Sequence, residues 1–548
     1  MLDKNKGGHF SISPSKGSNP MTKQHYLPCS SILQTRWIQE DGVANLIDFF
    51  PRPNVDHQPL KLGRDVNSPG SKELKNWLVR RIECIRGKAT LDVEVFPAFN
   101  YAQDWHTVEV TQSRQGLPTV FFRSQDRALR LDVTIDCGDE PADSCPTVRY
   151  EKESRDGLLG DGVTTIVQLR EGQGVSFVLR DCASDKEAVH LTQHIVDQAH
   201  SDTNNFWHKW IAKCQYKDRF LDVVARSLMI LKLLTFEPTG AIIAAPTFSL
   251  PEDFGGTRNW DYRYCWVRDS SFTIYILLRM GFTDEAEAYM NFISDRFRYS
   301  RTPEGGLPIM FTIRGETRID EIELSHLEGY RGSKPVRIGN GAAFHKQLDI
   351  YGELLDCIYL YNKYGKPVSY DQWIAVRDLM TFVSRIWRED DMSIWEVRGK
   401  KQNFVYSKIM LWVAFDRALR LADRRCFPCP QRLEWLAIRD EICEEVMEKG
   451  YNDEMGCFVQ SYESRDVLDS AVLIAPLVFF IAPNDPRFLR TVDRILRPPE
   501  KGGLTSTGLV YRYDTDKADD GVGGREGTFS MCTFWLVEAL TRVSDHIT

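Results

Sequence analysis

Phe220-Leu-Asp-Val-Val-Ala-Arg-Ser-Leu-Met-Ile-Leu-Lys-Leu-Leu234 is where the chain changes period. Phe220, Val224, Leu228, Leu231 and Leu234 recur three or four residues apart, so they share one face of a helix. Upstream the period is two. Leu91, Val93 and Val95 alternate with Asp92 and Glu94, and Leu129, Leu131, Val133 and Ile135 alternate with Arg130, Asp132 and Thr134. Thr165 to Leu169 and Val175 to Leu179 are further short runs separated by glycine. Alternation with turn residues between runs predicts antiparallel strands with one face buried, and several of them suggest a β-sandwich. Downstream, apolar helical patterns recur near 266–281, 284–298, 344–364, 370–387, 405–423, 431–449, 469–481, 486–496 and 528–543. A helical solenoid requires a sequence repeat, and none is visible. A ring of helical hairpins, with long loops gathered at one end, fits the pattern better.

The domain organisation read from these periods is a β-sandwich over 1–185, a helical linker over 186–216 that holds Phe206, Trp207 and Trp210, and a helical domain over 217–548. A length of 548 residues exceeds one ordinary core and agrees with several domains. Hydrophobic residues at 42% and charged residues at 27% are the balance of a globular protein. The net charge of -8 argues against a nucleic-acid partner, since phosphate contacts need a basic face. The apolar run Ala471 to Ala482 is too short to span a bilayer and contains Pro476, so no membrane association is expected. Met1 to Phe10 lacks an apolar signal core. The 13 cysteines form no tight spacing framework, and no Asn-x-Ser/Thr acceptor occurs. Together these point to a reducing, cytoplasmic location.

Three stretches carry chemistry. Gly255-Gly-Thr-Arg-Asn-Trp-Asp-Tyr-Arg-Tyr-Cys-Trp-Val-Arg-Asp269 mixes arginines, carboxylates and aromatics in a loop entering a helix. Sugar hydroxyls need Asp, Arg and Asn partners, and the C–H face of a sugar needs an aromatic plane. A buried ion-pair network locking the loop is an equal reading of the same residues. Ile394-Trp-Glu-Val-Arg-Gly399 sets Glu396 beside Trp395, a partly apolar setting that raises a carboxyl pKa toward that of a general acid. The plainer reading is a surface glutamate paired with Arg398. Tyr511-Arg-Tyr-Asp-Thr-Asp516 and Gly523-Gly-Arg-Glu-Gly-Thr-Phe529 place Glu526 ahead of the last helix, where it could catalyse, bind substrate or cap the helix. Cys426-Phe-Pro-Cys429 has no second Cys or His pair near it and reads as a helix-connecting loop. His190, His194 and His200 are too loosely spaced for a metal site, and Gly339-Asn-Gly341 is a turn rather than a phosphate loop. No metal and no cofactor is expected.

These stretches occur in one order in a known family. From Leu2 to about Leu540 the chain resembles glycoside hydrolase family 15, the glucoamylase, glucodextranase and bacterial-type trehalase group. Ala244 to Glu252, Arg258 to Asp269, Tyr330 to Asn340, Gln347 to Glu353, Trp395 to Gly399 and Glu526 to Leu540 carry the resemblance. It implies an N-terminal antiparallel β-sandwich followed by an (α/α)6 toroid. It implies an inverting α-glucoside hydrolase that releases glucose, with an α-glucoside or trehalose as its small-molecule partner. It implies Glu396 as general acid, Arg268 and Asp269 as binders of the terminal glucose, Trp266, Trp260 and Trp395 as pocket walls, and Arg512 and Glu526 as further substrate contacts. Two departures accompany it. The first strands of such proteins and their last helical hairpin, which bears the general base, have no counterpart between Met1 and Thr548. The expectation is therefore a chain shortened at both ends and severely impaired in turnover. An inverting sugar phosphorylase and a non-catalytic carbohydrate-binding remnant are the alternatives.

Overall fold

The computed structural model describes residues 2–15, 19–53, 76–113, 115–139, 141, 144–182, 191–518, 520–524 and 526–545. They fall into two compact units whose boundary in the chain lies at Ile230–Leu231. Part of the expected linker and His190 lie outside the described residues.

The first unit is built on antiparallel strands: β1 (His9–Pro14), β2 (Met21–Tyr26), β3 (Leu33–Ile38), β4 (Gly42–Phe49), β5 (Trp77–Phe96), β6 (Thr107–Gln112), β7 (Pro118–Arg123), β8 (Ala128–Asp136), β9 (Glu151–Glu153), β10 (Gly162–Arg170) and β11 (Gly174–Asp181). The path β2-β3-β4-β5-β11-β8-β7-β6 is continuous, and β1 and β10 join the far half of β5. The 20-residue β5 thus serves two layers. Its Trp77–Glu83 half pairs with β11, and its Lys88–Phe96 half pairs with β1 and β10. Ile82 from one half and Val93 from the other are buried in the same apolar cluster, with Val167 and Phe177. Two separate sheets are therefore replaced by one strand-linked system around a shared core.

In β8 the expected one-sided burial fails. Asp132 and Thr134 are buried along with Leu131 and Val133. Arg180 pairs with Asp132 at 2.7 Å, and Thr134 donates to Gln193 of helix α1 (Gln193–Ile211) at 2.7 Å, so polar partners occupy the face predicted to meet water. Val196 and Ala199 of α1 pack on Phe49, Val79 and Val178 of the strands. Cys137 and Cys145 form a disulfide, against the expectation of reduced cysteines throughout.

The second unit is helical. After α2 (Leu221–Leu233), which straddles the boundary, come α3 (Val267–Met280), α4 (Thr283–Tyr299), α5 (Ile350–Tyr364), α6 (Tyr370–Ile386), α7 (Val405–Arg425), α8 (Arg432–Lys449), α9 (Pro486–Ile495) and α10 (Ser530–Asp545). Helix α5 packs on both α3 and α7, while α4, α6 and α8 lie against them from outside. Burial separates the two sets. Helix α7 is buried on nearly every face, whereas α8 buries only the stripe Trp435, Ile438, Ile442 and Val446. Two helical expectations fail. Residues 469–481 hold only a short 3-10 turn, Ser470–Ile474, with Pro476 barring its extension as an α-helix, and residues 345–349 lead from the 3-10 turn Gly341–Phe344 into α5 without helical structure. Cys426 and Cys429 are free thiols between α7 and α8, as the loop reading expected. Among the described residues no helix is long and apolar enough to cross a membrane.

Candidate active site

The inner helices begin where the chemistry-bearing stretches end. The first turns of α3 and α10 and the loops ahead of α3 and α7 enclose a cavity of about 190 Å³. Trp260, Trp266, Arg268, Asp269, Trp395, Glu396 and Arg512 all line it. Seven of the eight residues singled out in the sequence thus meet in one place, from segments more than 100 residues apart. Glu526 is the exception. It is 5% exposed and stands behind Arg512, which it pairs with through both carboxyl oxygens. Helix α10 begins only at Ser530, so the capping reading of Glu526 does not hold.

Glu396 is held by one oxygen. The Trp266 indole N–H donates to Oε1 at 2.7 Å, and Arg268 Nη2 approaches the same atom at 3.2 Å. Gln347 Nε2 adds a contact to Oε1 at 3.4 Å. The second oxygen, Oε2, is left to the cavity. The backbone makes this orientation deliberate: Glu396 and Ser393 both have left-handed φ, 57° and 64°. Such a conformation costs about 1–2 kcal/mol in a residue with a Cβ and persists only where neighbours enforce it. Here Val397 N bonds Met392 O, Arg398 N bonds Asp520 O, and Trp395 Nε1 donates to Asp469 at 2.9 Å. Arg398 pairs with Glu321 at 2.6 Å, so the surface Glu396–Arg398 pair is excluded.

Arg268 forms the floor. Its guanidinium donates to Gln347 at 2.8 Å and to Asp349 at 3.3 Å, with Asp269 at 3.7 Å. Burial alone would lower its pKa, but Asp349, Asp269 and Glu396 together hold it well above its ordinary value. Asp269 lies in the first turn of α3, where the helix dipole favours an anion. Its side chain is 41% exposed, and the opening is into the cleft. Enclosure by the walls raises its pKa despite Arg268 beside it.

The opposite wall is a second charge network. Arg258 pairs with Asp520, and Asp520 also accepts from the Tyr513 hydroxyl at 2.9 Å. Arg337 and Arg398 stand over the Trp260 ring at 4.8 and 4.3 Å. Arg263, the remaining arginine of the first stretch, folds back onto Asp261 at 2.7 Å, so the loop-locking reading is right for that residue. Glu252 opens onto the cavity, where burial by the walls pushes its pKa up against the pull of Arg512 and Arg258.

Residues 218–546 match the family model described as glycosyl hydrolases family 15. The chain belongs to glycosyl hydrolase family 15. Relatives in this family include a trehalase of Mycolicibacterium smegmatis, 36% identical over 98% of this chain and 76% of its own length. A trehalase of Thermoplasma volcanium is 32% identical over 98% of this chain and 78% of its own. Among solved structures, a glucoamylase from Saccharomycopsis fibuligera covers 60% of this chain and 73% of its own at 17% identity, with a TM-score of 0.44. In this family 15 chain the cavity brings together a carboxyl with one oxygen free of partners among the described residues, an arginine and an aspartate beneath it, and three tryptophans.

Several lining residues of this family 15 site were not singled out in the sequence. Asn340 sits in the turn Gly339–Gly341, whose N–H groups bond Asp261 and Glu321. Glu252, Tyr262, Arg258 and Asp520 also line the cavity. Tyr262 and Arg258 were inside the quoted stretch and could have been read from it. Asp520, in a Gly- and Asp-rich loop, carries no local signal. Among the described residues no cluster of His, Cys, Asp or Glu has metal-binding arrangement.

Proposed function

We propose that this chain acts on a small α-glucoside, trehalose first among them, by inverting hydrolysis that releases glucose. The observation that carries the reading is Glu396, tethered through Oε1 to Trp266 and Arg268 with Oε2 open to the cavity. In that arrangement the proton sits on Oε2 and passes to the glycosidic oxygen as the bond to the anomeric carbon breaks. Arg268 and Asp269 hold neighbouring hydroxyls of the glucose by charge-assisted bonds. Trp266, Trp260 and Trp395 present ring surface and exclude water from the sugar. Arg512, kept in place by Glu526, meets the leaving group. A cavity near 190 Å³ suits a single sugar ring at its base better than an extended chain. The relatives' name adds trehalose as the substrate to try first. The catalytic domain in this reading is 217–548, arranged as an α/α toroid with the cavity at the end where α3 and α10 begin.

Inversion also needs a carboxylate that activates water from the far face, about 6.5–9.5 Å from the acid. Asp520 and Glu526 are committed to Arg258 and Arg512. Neither is available as that base.

The test separates binding from turnover. Calorimetry with glucose and trehalose is expected to show binding that Arg268→Ala or Asp269→Asn abolishes and Glu396→Gln retains. Turnover of trehalose is expected to fall about 10²–10⁴-fold in Glu396→Gln. Turnover unaffected by that substitution would remove Glu396 from the role. Phosphate-dependent formation of a sugar phosphate would select a phosphorylase instead.

A further inference from the structure

Beneath the cavity floor two carboxyls face each other. Asp349 at the start of α5 and Glu353 one turn later on the same helix face are 0% and 2% exposed, and the Glu353 backbone N–H donates to the Asp349 carbonyl oxygen at 3.3 Å. Each retains an oxygen, Asp349 Oδ1 and Glu353 Oε2, with no donor. Glu353 Oε1 accepts from the Tyr406 hydroxyl at 2.7 Å, and Asp349 Oδ2 accepts from Arg268 at 3.3 Å. Two ionised carboxylates are acceptors only and cannot bond one another. Buried like charges in contact cannot both ionise at neutral pH. Only a proton between them makes this contact favourable.

We propose that Asp349 and Glu353 hold one proton between them and act as a positioning pair for Glu396, occupying one side of the Arg268 guanidinium so that Glu396 receives only part of its positive charge. The linkage is geometric: Arg268 Nη1 serves Asp349 and Gln347, while Nη2 serves Glu396. Burial raises both pKa values; at Glu353 the Asp349 carboxylate adds to the rise, while Arg268 and Glu353 pull Asp349 back down. The surrounding titratable groups are Arg268 and Asp269 from α3, Tyr406 from α7, and Asp391 and Glu396 from the segment between α6 and α7. Lys408 stands behind Asp391. Tyr262 and His345 face Glu396 from other loops. With one proton the pair carries a single negative charge and balances Arg268. Without Asp349 the negative charge passes to Glu353, which makes no hydrogen bond to Arg268, and more of the guanidinium charge falls on Glu396 and Asp269.

The effect on Glu396 rests on its reading as the acid; the shared proton does not. The infrared difference spectrum of the parent minus Glu353→Gln at pH 7 is expected to contain a protonated-carboxyl stretch that shifts in D2O, because in the variant Asp349 ionises and accepts from the amide. The alkaline limb of kcat/KM for trehalose is expected to stay in place in Glu353→Gln, which keeps the charge beside Arg268. In Asp349→Asn it is expected to move to lower pH by about half a unit or more, because a less compensated Arg268 charge favours ionised Glu396. A merely structural role would lower kcat without moving the limb. A spectrum unchanged in Glu353→Gln overturns the shared proton, whatever the activity. A limb that moves in Glu353→Gln, or stays in Asp349→Asn, overturns the link to Glu396. Should Asp349→Asn not fold, Glu353→Gln still decides the shared proton, and Asp349→Ser, read in the same profile, decides the link to Glu396. Failure of Glu396→Gln to reduce turnover would sink the catalytic reading and leave the infrared result standing.

Discussion

At the scale of single residues, the site depends on which oxygen of Glu396 is tied and which is free. The Trp266 indole N–H is the shortest of the contacts to Oε1, and Trp266 is 3% exposed. Trp266→Phe keeps the ring wall and removes that bond. A hydrogen bond to a charged group is worth about 1.5–3 kcal/mol, so kcat for trehalose is expected to fall roughly 10- to 100-fold with KM little changed. A fall in affinity alone would instead make Trp266 a wall and nothing more. Glu396 itself was legible in the sequence through its Trp neighbour. Its partners were not, because Trp266, Arg268 and Gln347 lie 130, 128 and 49 residues away.

Elements bring those partners within reach. Helices α5 and α7 approach closely at Gly352, where an added Cβ would stand 2.1 Å from the Met410 carbonyl oxygen. The close approach also lets Tyr406 reach Glu353. Gly352→Ala is expected to destabilise the chain by about 3 kcal/mol through overpacking, read as a lower denaturant midpoint with an unchanged slope. A midpoint within error of the parent would mean the helices can separate at no cost. At the α6 N-terminus, Ser369 and Gln372 form a reciprocal capping box. Ser369→Ala there is expected to cost only about 1 kcal/mol in the same titration. Helical spacing located α3 to α10 in the sequence within a few residues, apart from 469–481. From Ala471 to Ile481 that run is apolar at every position and Ala471 to Ala475 are all buried, so period could not separate a helix from a buried turn.

Across the whole molecule, buried acids couple stability to pH. Burial pushes Asp391 up to about 7 and Asp469 up to about 6. Between an ordinary aspartate value near 3.9 and these values, the folded chain binds more protons than the unfolded one. Their contribution to stability is therefore present in full at low pH and lost as pH rises through about 6 to 7. Lys408 acts in the opposite direction: burial lowers it to about 8, so above that pH the unfolded chain is the one holding the extra proton and stability recovers. Melting temperatures across pH 5 to 8 are expected to decline less steeply in Asp391→Asn than in the parent. Parallel curves would show that Asp391 is ionised throughout. The α10 surface bears on solubility at this scale too, since Phe534 and Val537 are 71% and 55% exposed.

Period and composition, by themselves, determined that an antiparallel β unit precedes a helical one, because burial of one face imprints a spacing on the residues that supply it. Together with the family resemblance they also singled out Glu396, Arg268, Asp269 and the tryptophans, because those residue types are crowded into short stretches. Only the tertiary structure decided that β5 serves two layers, that Glu526 serves Arg512 rather than the cavity, and that Asp349 and Glu353 meet beneath Arg268. Those outcomes depend on which distant segments become neighbours, and a single chain read in order carries no distance between them.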